Sequence, residues 1–157
     1  MCPDKSKDAY KIDVISWNIK GAKRGASSLA HFVKSYQPAL LFLSEPQLFQ
    51  CDSSLALEPV LGNYCHHLNS EDSYYPELAL ESRNAKGGTL CMWHSALDPF
   101  ITILPTTSAA VLPLLLSIPG MSPSAHICVY MPSAYQWPGQ QVCTGPGCSD
   151  CCDGNPG

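Results

Sequence analysis

The chain has 157 residues, the size of one domain or part of one. Apolar residues make up 45% and charged residues 14%, which excludes a disordered regulator and admits a sizeable core. The net charge of −4 is unevenly spread: residues 1–36 hold seven of the nine Lys/Arg, which excludes a broad basic coat but leaves a basic N-terminal stretch able to touch phosphates.

No run reaches the ~18 apolar residues of a membrane span. The longest, Ala109 to Ile118, is interrupted by Pro113 and Ser117. Residues 1–10 read as a polar leader with no apolar segment of a secretory signal behind it. With no such signal, the nine Cys read as reduced thiols of an intracellular protein, nuclear or cytoplasmic, not as the disulfide frame of a secreted one.

Lys11 to Trp17 alternates and is β-branched, which predicts a first strand. Asn18 to Gly25 predicts a loop carrying Lys20, Lys23 and Arg24. Ser27 or Ser28 is placed to cap a helix, with Leu29, Phe32, Val33 and Tyr36 as its apolar stripe and Pro38 as its stop. Ala39 to Leu43 is a continuous apolar run ahead of Ser44-Glu45, the pattern of a buried strand. Strand, helix and strand in this order predict a parallel pair with a crossover.

Residues 46–86 read as irregular. Gly87-Gly88 opens a strand over Thr89 to Trp93, and Phe100 to Leu104 forms another. Val111 to Ile118 contains Pro113, which predicts an edge or bulged strand. His126 to Tyr130 forms the last, ended by Met131-Pro132. Strands with few helices between them predict antiparallel neighbours and a mixed sheet.

The chemistry sits at strand ends, where α/β sheets build sites. Asn18, Glu45 and Tyr130 each end a predicted strand. An amide and a carboxylate on adjacent strands suit a hard cation such as Mg²⁺, which takes oxygen ligands. A tyrosine hydroxyl suits a phosphate oxygen. Singly, each residue has a plainer reading, as a turn amide, a solvated strand end and a core ring.

Four segments carry a resemblance. Ile15-Ser16-Trp17-Asn18-Ile19-Lys20-Gly21 resembles the opening motif of the endonuclease/exonuclease/phosphatase superfamily, and Leu41-Phe42-Leu43-Ser44-Glu45-Pro46 its second. Gly87-Gly88-Thr89-Leu90 resembles its Gly-Gly strand, and Val129-Tyr130-Met131-Pro132-Ser133 its Tyr-x-Pro motif. Within the superfamily the chain looks most like the endonuclease domain of non-LTR (LINE-type) retrotransposons. The resemblance implies the N-terminal half of a four-layer α/β sandwich over residues 11–133, an incomplete endonuclease domain. It implies Mg²⁺ or Mn²⁺ as cofactor, DNA as partner and phosphodiester hydrolysis as the reaction, with no membrane and no small-molecule cofactor. By motif, Glu45 would ligate the metal, Asn18 would orient the nucleophile side or help hold the metal, and Tyr130 would bond the phosphate. Lys20, Lys23 and Arg24 would touch nucleic acid. Lys20 stands where many DNA-repair relatives carry an acid, which weakens the expected metal site.

The family's later Gly-Asp-x-Asn and Ser-Asp-His motifs are not found, and no His follows His126. Ser149-Asp150-Cys151 has a thiol in place of imidazole, and Asp153-Gly154-Asn155 reads as a turn. Cys143, Cys148, Cys151 and Cys152 lack the paired Cys-x-x-Cys spacing of zinc knuckles, and adjacent His66-His67 point to opposite faces of a strand. Residues 134–157, rich in Gly, Pro and Cys, read as a disordered tail, and their codons are compatible with a frameshift from a decayed element. The expected protein is therefore a catalytically incomplete endonuclease fragment. The alternatives are a non-catalytic module that binds nucleic acid or protein, and a minimal nuclease whose tail supplies the missing groups.

Overall fold

The computed structural model describes residues 11–74, 76 and 85–131. The predicted leader, residues 1–10, and tail, residues 134–157, lie outside the described residues. The element order is β1 (Val14–Asn18), α1 (Ala22–Tyr36), β2 (Leu40–Ser44), α2 (Ser53–Leu57), β3 (Tyr64–Asn69), β4 (Thr89–His94), β5 (Ile101–Ile103), β6 (Val111–Leu116) and β7 (Ser124–Val129).

Two sheets form. The first is mixed, in the order β1-β2-β4-β3, and the second is antiparallel, in the order β5-β6-β7. β1 and β2 run parallel with Asn18 opposite Ser44, joined through α1, as the strand-helix-strand pattern predicts. β4 pairs antiparallel with both β2 and β3.

β2 shows why its sequence is apolar without alternation. Leu41 and Leu43 face the helices and pack with Leu29, Val33 and Leu57. Leu40 and Phe42 face the second sheet and pack with Leu112, Leu114 and Cys128. A strand buried on both faces has no polar side to display. The described residues thus build three layers: helices, mixed sheet, antiparallel sheet.

Four expectations are corrected, the last of them at β6. The helix starts at Ala22, not beside Ser27 or Ser28, and its N-cap Gly21 makes no side-chain cap. The loop after β2 supplies the cap instead, because Gly21 N donates to Glu45 O at 2.8 Å and Ala22 N to Pro46 O at 2.7 Å. Lys23 and Arg24 are therefore in the first turn of α1, not in a loop. The stretch 46–86, read as irregular, contains β3, an edge strand recruited by β4.

β6, read as an edge or bulged strand, lies between β5 and β7. Pro113 is tolerated because its carbonyl accepts from Leu104 N at 3.0 Å, just past the end of β5. Nitrogen and carbonyl of one strand residue point to the same side, so the missing donor falls where the ladder stops.

Among the described residues β7 is an edge of the second sheet. Ile127 and Val129 on its outer face, with Met131 just beyond, are 62%, 56% and 84% exposed. Their partners Pro113 and Val111 extend the same apolar face across β6. Such a face is normally covered by another layer.

Partly desolvated titratable groups contribute to the pH dependence of stability. Desolvation first, then the neighbouring His67, holds the half-buried His66 below its ordinary value of 6.5, and partial desolvation lowers that of His67, which is exposed. A depressed imidazole contributes stability that is full above 6.5 and is lost as pH falls through the folded value. Burial pushes the Cys128 thiol from 9.0 to about 11 and raises that of Cys91, which also feels Cys128. A raised thiol contributes stability that is full below 9.0 and is lost as pH rises through the folded value. Chemical denaturation across pH should therefore show a plateau between 6.5 and 9.0, falling on both sides. Cys128→Val should flatten the alkaline limb.

Candidate active site at the strand ends

The parallel register of β1 and β2 places their C-terminal ends side by side. Asn18 closes β1, and Glu45 follows β2 directly. Asn18 Nδ2 donates to Glu45 Oε1 at 2.9 Å, and Asn18 Oδ1 accepts from Lys20 N at 3.1 Å. Both functions of the amide are engaged, which fixes its orientation and presents the carboxylate.

Tyr130 follows β7 directly and approaches the same carboxylate from the second sheet. Burial first, then the nearby Glu45 carboxylate and the charge of Glu71, raise its pKa above the ordinary 10.0. The hydroxyl is therefore protonated at neutral pH and is a donor. The structure brings Asn18, Glu45 and Tyr130 into one cluster.

The backbone here is held under strain. Glu45 has φ 54 and Gln47 φ 52, left-handed values that cost a non-glycine residue on the order of 1 kcal/mol or more. Two flanks hold them in place. On one side Gly21 N and Ala22 N bond Glu45 O and Pro46 O. On the other, Glu45 N donates to Gly88 O at 3.2 Å and Gln47 N to Gly87 O at 3.1 Å. Gly87 and Gly88 adopt φ 56 and 84. A Cβ on Gly87 would come within 3.0 Å of Tyr130 Cε1, and one on Gly88 within 3.2 Å of Asn69 O. The glycine pair therefore seats the Tyr130 ring and clasps the Glu45 loop at once.

Beside this loop lies an open cavity of about 380 Å³. Lys23 and Arg24 line it, with Gln47, Asp52 and Lys86. Lys23 Nζ pairs with Asp52 Oδ2 at 2.6 Å. Basic side chains in the first turn of a helix oppose its dipole, so Lys23 and Arg24 do not sit there for helix stability. Lys20 does not line this cavity; it lies against Asn18 through its backbone. Lys86 joins the basic group although it was not among the predicted residues; the signal was its place just before Gly87-Gly88.

Among the described residues, a divalent cation beside Asn18 would have one adjoining carboxylate, Glu45, and the amide oxygen of Asn18 is turned to Lys20 N. Among the described residues no group of three or more His, Cys, Asp and Glu gathers. One carboxylate still fits Mg²⁺, which keeps several waters and uses substrate phosphate to complete its shell.

Solved structures with the same arrangement of elements include an AP endonuclease from Leishmania major, at TM-score 0.56 and 22% identity over 76% of this chain. A variant of the 3′ phosphatase NExo from Neisseria, bound to product DNA hairpin, matches at TM-score 0.50 and 13% identity over 76%. TDP2 from Caenorhabditis elegans matches at TM-score 0.50 and 16% identity over 80%. The fold is of the endonuclease/exonuclease/phosphatase type. The chain spans only 40%, 41% and 37% of those three structures, so this endonuclease/exonuclease/phosphatase-type unit is well short of their full length. No family model and no curated protein matches the chain.

Proposed function

We propose that the chain is part of a phosphodiester hydrolase acting on DNA, of retrotransposon endonuclease type, incomplete in catalysis. The supporting observation is the Asn18–Glu45 hydrogen bond of 2.9 Å, with Tyr130 seated against Gly87 beside them, at three strand ends of this fold. The neighbouring folds include an AP endonuclease and a phosphatase bound to product DNA hairpin, which supports DNA as the partner.

The roles follow from the chemistry of the three groups. Asn18 holds the Glu45 carboxylate in one orientation. Glu45 would hold Mg²⁺ or Mn²⁺, which when bound polarises a phosphoryl oxygen and offsets its developing charge. Tyr130, kept protonated, would donate to a non-bridging oxygen of the phosphodiester. Lys23, Arg24 and Lys86 would take backbone phosphates beside the scissile one, and Lys20 the strand crossing the site. Hydrolysis also needs a positioned water and a proton for the leaving oxygen. The motifs that would supply them in the resembling family are not found in the sequence.

The alternative, a non-catalytic nucleic-acid binding module, is favoured by the basic cavity and uses the same cations. A nicking assay on supercoiled plasmid with Mg²⁺ tests the incompleteness. The expected result is retained DNA binding without nicking. Nicking that disappears in Glu45→Ala would establish an active minimal nuclease instead.

A further inference from the structure

The turn before β6 is held in an unusual way. Four consecutive carbonyls, Ser108 to Val111, all accept hydrogen bonds from outside the turn. Asn69 Nδ2 donates to Ser108 O at 2.8 Å and to Val111 O at 2.7 Å. Thr89 Oγ1 donates to Ala109 O at 3.1 Å. Tyr130 N donates to Ala110 O at 2.8 Å. Both polar atoms of the Asn69 amide are engaged, because its Oδ1 accepts from Tyr74 Oη at 2.8 Å.

Asn69 and Thr89 are register partners at the ends of β3 and β4, and both are buried. They belong to the first sheet, whereas the turn and Tyr130 belong to the second. Elsewhere the sheets meet mainly through apolar side chains, whose contacts carry no direction. The bonds to the partly buried carbonyls of the turn are directional and fix its position.

The geometry points to Asn69 and Thr89 as positioning residues: through the Ser108–Val111 turn they fix where Tyr130 stands relative to Glu45. This rests on the reading of Glu45 and Tyr130 as a phosphodiester pocket, but the placement is measurable without any activity. The backbone is joined on the other side too, since the Tyr130 ring lies over Gly87 and the Asn69 carbonyl lies against Gly88. One buried residue thus touches both supports of the site, the turn through its side-chain amide and Gly88 through its backbone carbonyl.

The test is NMR on the full chain and on Thr89→Val, Thr89→Ser and Asn69→Ala. Two signals report Tyr130: exchange of its amide hydrogen, and the cross-peak between its ring and Gly87 Hα. Tyr64, at the other end of β3, is the internal control, with its hydroxyl on Pro38 O at 2.8 Å. Thr89→Val should speed Tyr130 amide exchange about tenfold, as expected for one lost hydrogen bond, and weaken the ring cross-peak. Thr89→Ser, which keeps the hydroxyl, should restore both, and the Tyr64 signals should not move. Asn69→Ala should give a larger effect than Thr89→Val. Should Asn69→Ala fail to fold, Thr89→Val alone decides. Unchanged Tyr130 signals in Thr89→Val, or equal changes at Tyr64 and Tyr130, would overturn the assignment. Failure to bind DNA or a divalent cation would instead count against the phosphodiesterase reading and leave this placement standing.

Discussion

Leu43→Ala is expected to lower the unfolding free energy by about 2–5 kcal/mol, a large share of the ~5–15 kcal/mol that holds a typical domain together. Leu43 is fully buried on β2, packed against the helical layer, and opposite Trp17 and Leu90 in the strand register. Its truncation leaves a cavity between a strand and two helices that cannot collapse separately, because β2 is hydrogen-bonded on both sides. The adjacent Ser44 and Glu45 inherit any shift. Urea denaturation followed by circular dichroism measures the loss. A change under about 0.5 kcal/mol, the size seen at surface positions, would contradict the packing described here.

The second large effect is on DNA. Replacing Lys23, Arg24 and Lys86 together by Gln should reduce the salt dependence of duplex binding. If each cation neutralises one phosphate, the slope of log K against log salt should fall in magnitude by about 2–3. Lys23 carries an ion pair with Asp52, but it is an exposed pair and contributes little to the fold. Stability should therefore hold while affinity drops. Fluorescence anisotropy at several salt concentrations reads the slope. An unchanged slope would place the nucleic acid elsewhere on the surface.

The strands with one dominant constraint were legible in the sequence. β2 declared itself through five apolar residues in a row, and β1 through its alternation. β3 was not legible, because Tyr-Cys-His-His-Leu-Asn has neither pattern; it becomes a strand by pairing with β4 along its full length. The start of α1 was hidden for a related reason. Its cap comes from backbone carbonyls of Glu45 and Pro46, which no local residue announces. Pro113 misled because the rule against proline inside sheets assumes that both flanking strands are long, and β5 ends before reaching it.

Within the candidate site, the gathering of Asn18, Glu45 and Tyr130 was readable from their places at strand ends and in the motifs of the resemblance. Their supports were less so. Lys86 and Asn69 lie in the stretch read as irregular, and Thr89 opens a predicted strand. Their roles depend on contacts across 20 to 42 residues of sequence, which only the folded chain brings together. The left-handed backbone at Glu45 was equally invisible, because Glu before Pro gives no local cue for it.

Titration of the isotope-labelled chain with Mn²⁺, followed by paramagnetic broadening of its NMR signals, tests the central claim most directly. The account predicts broadening centred on Asn18, Glu45 and Tyr130, strengthened by a short DNA phosphodiester, and at least about 100-fold weaker Mn²⁺ binding in Glu45→Gln. Broadening centred elsewhere, or binding that Glu45→Gln leaves intact, would contradict it.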